Sequence, residues 1–257
     1  MKKDKKLIVA NWKMNPVTFV EAKEVFLKTR KVVSTLKNVD VVVCPPFVYL
    51  PLVQRLTGGK KHIHIGAQNS SSEDKGSYTG EVSPVMLRDG GVEYVILGHS
   101  ERRALGETNE VVCRKAISAL RAGLKIILCI GEEFRDNQGA YLGFLENQIK
   151  SSLVGISRAS LGNIIIAYEP VFAIGKKESD AMNPRELLET VLYIRKILFS
   201  LYGKEGMEEV PVLYGGSVGE KNCRDILSEG GAQGLLVGHA SLDTEAFRLI
   251  IKIAESL

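Results

Sequence analysis

Eight short apolar runs punctuate the chain, and longer stretches with helical spacing of apolar positions lie between them. The runs are Leu7–Asn11, Val39–Cys44, His62–Ala67, Tyr94–Gly98, Lys125–Ile130, Ile164–Tyr168, Val212–Tyr214 and Gly234–Val237. Most are rich in Val, Ile and Leu without polar alternation, the pattern of parallel strands covered on both faces. The intervening stretches predict helices. Val17–Leu36 carries an apolar stripe at Val20, Val25, Leu27 and Val32, and Asn109–Ala122 opens on a capping-type residue and stops before Gly123. Pro184–Leu201 has Pro in its first turn behind a capping Asn183, and Leu242–Leu257 follows Ser241.

Strand and helix therefore alternate through the chain with no linker or low-complexity break, which predicts an α/β fold with right-handed crossovers. Eight parallel strands close around an interior that their own side chains fill, so the favoured form is a single (β/α)8 barrel domain over residues 1–257. An open doubly wound sheet is the alternative. No Gly-x-Gly-x-x-Gly follows a strand and no Gly-Lys-[Ser/Thr] loop occurs, which weakens dinucleotide and nucleoside-triphosphate readings.

Composition agrees: 45% hydrophobic and 25% charged residues suit a globular chain with a large core. No apolar run approaches the roughly 20 residues that cross a membrane. The basic start, Met1 to Lys6, is followed only by Leu7 to Ala10 before Asn11-Trp12-Lys13 intervenes. That is too short for a secretory leader, so a cytoplasmic location is expected. The net charge of +4 gathers visibly at this solvated start, and no nucleic-acid partner is expected. Cys44, Cys113, Cys129 and Cys223 lie far apart, which predicts reduced, mostly buried thiols. His62 and His64 share a strand face near its start, away from the rim where chemistry is expected, and no metal site is assigned to them.

In a parallel α/β fold, function sits where strands end. Asn11-Trp12-Lys13 follows the first strand and Gly98-His99-Ser100-Glu101 ends the fourth. Tyr168-Glu169-Pro170 follows the sixth, Tyr214-Gly215-Gly216-Ser217 the seventh and Gly238-His239 the eighth. A lone lysine at a strand end is ordinarily a solvated charge, and a lone histidine there often caps the next helix. Glu169 is less ordinary, because a buried run precedes it and a proline fixes the chain after it. The two glycine-rich turns would serve as tight turns, or would expose backbone N–H groups to a phosphate. Together they point to a phosphorylated small molecule and acid–base chemistry on one rim.

These residues, in this order, resemble the triosephosphate isomerase family over nearly the whole chain. The likeness extends to Gly66-Ala67-Gln68-Asn69, Tyr78-Thr79-Gly80-Glu81-Val82-Ser83, Cys129-Ile130-Gly131-Glu132 and Gly234-Leu235-Leu236-Val237-Gly238. The resemblance implies a TIM barrel and a cofactor-free interconversion of dihydroxyacetone phosphate and glyceraldehyde 3-phosphate, a step of glycolysis and gluconeogenesis. It makes Glu169 the base, His99 the electrophile, Lys13 the cation and Asn11 a supporting donor, with Glu101 holding Lys13. Asn11, Lys13, Gly175, Ser217, Gly238 and His239 would hold the substrate and its phosphate, with Tyr214, Gly215 and Gly216 in support. Pro170, Val171, Phe172, Ala173, Ile174, Gly175, Lys176 and Lys177 match a closing lid. The loop Gln68–Ser83 matches one that enters a partner subunit, which implies a homodimer.

Three features depart from the family pattern: Phe172 where tryptophan is usual, the charged run Lys176–Asp180, and His239 where a second glycine is usual. His239 and the altered lid motivate a competing reading, an isomerase of a larger ketose phosphate such as a tetrulose phosphate; a reading from another class is a phosphorylated-ligand binding protein without catalysis. Intact Lys13, His99 and Glu169 argue against the latter.

Overall fold

A computed structural model of the chain describes residues 5–136, 138–173 and 181–257. Its strands are β1 (Lys6–Asn11), β2 (Val39–Cys44), β3 (Ile63–Ala67), β4 (Tyr94–Leu97), β5 (Lys125–Ile130), β6 (Ile164–Tyr168), β7 (Val212–Tyr214) and β8 (Gly234–Val237). They form a closed parallel barrel in sequence order. The seam pairs Leu7 with Gly234 through Ala10 with Val237, which sets aside the open sheet. Gly234 makes the seam possible, since a Cβ there would stand 1.9 Å from the Leu7 carbonyl oxygen.

Each strand is apolar on both faces because it serves two cores. Val9, Val42, Ile96, Ile127, Ile165 and Leu213 fill the barrel's interior. Their neighbours, such as Ile8, Val41, Ile126 and Ile166, pack outward with Phe26, Val112 and Phe247. The covering helices are α1 (Phe19–Val33), α2 (Leu50–Thr57), α3 (Pro84–Asp89), α4 (Ser100–Ala104), α5 (Asn109–Arg121), α6 (Ala140–Ser152), α7 (Pro184–Tyr202), α8 (Lys204–Glu209), α9 (Cys223–Ser228) and α10 (Thr244–Ser256).

The buried face of α1 differs from the expected stripe. It runs through Ala22, Phe26, Thr29 and Val33, whereas Val20 is 67% exposed and Val25, Leu27 and Val32 are only partly covered. The phase was hidden because Thr29 is polar by type, yet its hydroxyl is satisfied by donating to the Val25 carbonyl. Two caps also shift. Thr108, not Asn109, accepts the first-turn N–H of α5, and Asp243 caps α10 by accepting from Glu245 and Ala246. Asn183 does cap α7, with Pro184 in the first turn. All four cysteines are free and buried. His62 and His64 bond Asp40 and Glu93. No described helix is long and apolar enough to cross a membrane.

Candidate active site

The C-terminal ends of the strands carry the expected residues. At the end of β1, the Asn11 side-chain oxygen accepts the Lys13 N–H at 3.1 Å, and Lys13 takes a φ of +52°, a left-handed conformation rare outside glycine. Gln68, beyond β3, braces that turn by donating to the carbonyls of Lys13 at 2.8 Å and Cys44 at 2.9 Å. The Lys13 ammonium meets the Glu101 carboxylate at 2.6 Å. Strained backbone held by such cross-links marks a position where the side chain's direction matters.

His99 caps α4. Its Nδ1 accepts the Glu101 N–H at 3.2 Å, and a ring that accepts there carries its proton on Nε2. That nitrogen lies 3.2 Å from Glu169 Oε1. The cap therefore fixes which ring nitrogen faces Glu169.

Glu169 leaves β6 next to a buried Pro170 and is 2% exposed. Its Oε2 accepts the Ser100 N–H at 3.3 Å. Glycines make room for it. A Cβ on Gly215 would stand 2.8 Å from Glu169 Cγ, and one on Gly131 only 1.7 Å from the Glu169 carbonyl oxygen. The neighbouring Cys129 thiol is pushed well above the usual range, first by burial and then by the Glu169 charge, so it stays protonated.

Beyond β8, a Cβ on Gly238 would come within 3.5 Å of Lys13 Cε, which places this turn against the cation. His239 is exposed, opens a 3-10 turn and avoids the left-handed region, so a side chain there carries no backbone strain. Beyond β7, Asn222 ties the chain by donating to the Ser217 carbonyl at 3.0 Å and accepting from Gly219 at 2.9 Å. The Tyr214 hydroxyl accepts the Met182 N–H at 3.3 Å, just past the far end of the expected lid. Gly216 faces that tyrosine, where a Cβ would meet the hydroxyl at 2.3 Å.

Of the lid residues, Pro170, Val171, Phe172 and Ala173 are described, and Val171–Ala173 forms a 3-10 turn. Ile174, Gly175, Lys176 and Lys177, with the charged run to Asp180, lie outside the described residues. Gln68, Ser100 and Gly131 are the participants that the sequence reading missed as site residues. Gln68 and Gly131 stood inside blocks that carried the family likeness, which was the available signal.

Comparisons with known proteins agree with this fold. The sequence model for triosephosphate isomerase matches residues 6–254. The triosephosphate isomerase of Dehalococcoides mccartyi is 44% identical over 250 residues, covering 96% of each chain. That of Carboxydothermus hydrogenoformans is 42% identical over 254 residues, covering 96% of this chain and 98% of its own. The crystal structure of triosephosphate isomerase from Bartonella henselae matches with a TM-score of 0.84 at 32% identity, covering 97% of this chain and 98% of the other. The chain belongs to the triosephosphate isomerase family.

Proposed function

We propose that Glu169, His99, Lys13 and Asn11 carry out the isomerisation of dihydroxyacetone phosphate and D-glyceraldehyde 3-phosphate in one barrel domain. Family membership makes the chain an aldose–ketose isomerase of glycolysis acting on a phosphorylated triose. The relatives give no support to a larger ketose phosphate.

A proton beside a carbonyl is too weakly acidic for a free carboxylate at neutral pH, so negative charge developing on oxygen needs waiting donors and a cation. Glu169 removes the proton from one carbon and returns it to the next. The His99 Nε2–H, the Lys13 ammonium and the Asn11 amide face the oxygens of the enediolate. The base contributes roughly 10²–10⁴-fold, and the donors in a site shielded from water supply much of the rest. The 3.2 Å contact between His99 and Glu169 leaves no space for a substrate atom between them, so Glu169 exchanges its His99 and Ser100 partners for substrate. Backbone N–H groups at Ser217, Gly238 and His239, with Gly175, would receive the phosphate beside Lys13. His239 keeps its N–H available in a strain-free turn, which favours retained binding at that position.

The observation that carries this reading is the meeting of Lys13, His99 and Glu169, from three distant strands, around one rim. A coupled assay with glyceraldehyde 3-phosphate tests it: Glu169→Gln is expected to lose about 10³-fold in kcat. An unchanged rate would overturn the assignment of the base.

We also propose a homodimer in the cytoplasm. Met14, Val17, Val20, Val48, Tyr78 and Met86 are large apolar residues left exposed on and around the loops after β1, β2 and β3. The first two of these loops are joined through the Phe19–Tyr49 ring contact and the Tyr49 hydroxyl on Pro16. An apolar surface of this kind marks a partner site, and Gln68–Ser83 is the segment that would enter the partner.

A further inference from the structure

Arg135 lies between β5 and α6, outside the machinery assigned above. Its Nε–H donates to Glu132 Oε1 at 2.7 Å, and one terminal amine donates to the hydroxyls of Tyr168 at 2.9 Å and Thr190 at 2.6 Å. Tyr168 donates to the same Glu132 oxygen at 2.8 Å. The rings of Tyr141 and Phe172 flank the guanidinium, with centroids 4.5 and 5.8 Å from its carbon. Glu132 is buried, and its Oε2 has no partner among the described residues, so Arg135 and Tyr168 meet its charge from one side alone.

This cluster grips the chain on both sides of Glu169. Tyr168 immediately precedes it. Val171, two residues after it, donates its N–H to the Glu132 carbonyl at 2.9 Å, and Phe172 lies against the guanidinium. A planar fork with several donors reaches acceptors on its own loop, on β6 and on α7, which a single ammonium cannot do with the same geometry.

We infer that Arg135 is a positioning residue for the isomerisation: through Glu132, Tyr168 and Phe172 it fixes the backbone flanking Glu169, and so fixes where that carboxylate stands relative to the substrate. The inference rests on Glu169 being the base. Arg135 touches no substrate, so its loss slows proton transfer and leaves binding alone.

The test compares Arg135→Met, Arg135→Lys and Glu169→Gln by kcat, KM and the primary isotope effect on kcat. The substrate is deuterated at the carbon that loses its proton. Arg135→Met is expected to lose about 10–100-fold in kcat, the scale of a misplaced catalytic group, with KM unchanged and the isotope effect raised. Arg135→Lys is expected to lose less, with the isotope effect still raised, and it decides the matter if Arg135→Met does not fold. A wild-type isotope effect in the folded variants, with any loss of rate accounted for by a smaller active fraction, would overturn the inference. If Glu169→Gln is active, the base assignment itself falls. If Glu169→Gln is inert while both Arg135 variants match the wild type, only the positioning role falls.

Discussion

A carboxylate that changes partners during a reaction needs neighbours that leave it room. Gly215 provides that room, since any Cβ there would press on Glu169 Cγ at 2.8 Å. Gly215→Ala is expected to fold, to bind substrate with little change in KM and to lose about 10–100-fold in kcat. Steady-state kinetics with a thermal melt checks this, and an unchanged kcat would show that Glu169 is not confined there. Lys13, His99 and Glu169 were legible as candidates because each carries a titratable side chain just where a strand ends. Ser100 and Gly131 were not, because one contributes a backbone N–H and the other an absent side chain. Residue type says little about either contribution.

Between elements, buried charges must be answered in kind. Glu107 joins α4 to α5, accepting from Arg102 at 2.8 Å and from Lys115 at 2.6 Å, while Lys115 also reaches Asn69. Burial works against the Glu107 charge, but the hydrogen bonds and charges of Lys115 and Arg102 outweigh it and hold the carboxyl below its usual range. A depressed folded-state value means that the stabilisation is complete above the ordinary carboxylate range. It drains away as pH falls through the depressed value. Glu107→Gln leaves Lys115 buried without its counter-charge and is expected to cost about 3–5 kcal/mol near pH 7. Urea unfolding should show the gap from wild type closing in acid, and a pH-independent gap would contradict the pairing. The strands were readable nearly to the residue because parallel strands buried on both faces give unbroken Val/Ile/Leu runs. The face of α1 was not, because Ala22 and Thr29 lie on it, and neither stands out as apolar. Caps shifted by a residue or two where several capping types lie close together, as at Thr108 and Asn109.

At the scale of the whole molecule, barrel closure gathers the ends of eight strands on one rim, and exposed apolar side chains stand on and around the loops after β1, β2 and β3. Closure was foreseeable from the count of strand–helix units, and the close approach at Gly234 is what the sequence left unspoken. Sedimentation equilibrium is expected to give twice the 28.2 kDa chain mass. Tyr78→Glu in the loop proposed to enter the partner should shift it towards monomer. Full activity from a monomer would contradict the proposed contribution of that loop.

The most direct measurement is isomerisation of dihydroxyacetone phosphate in heavy water. A proton that travels on the Glu169 carboxylate exchanges with solvent while it is held, so deuterium is expected at the newly formed C–H of glyceraldehyde 3-phosphate. Glu169→Gln should abolish this incorporation along with turnover. Product formed at the full rate without solvent deuterium by Glu169→Gln as well as by the wild type would mean that hydrogen passes between the two carbons without that carboxylate, and the account of Glu169, His99 and Lys13 as an acid–base site would be wrong.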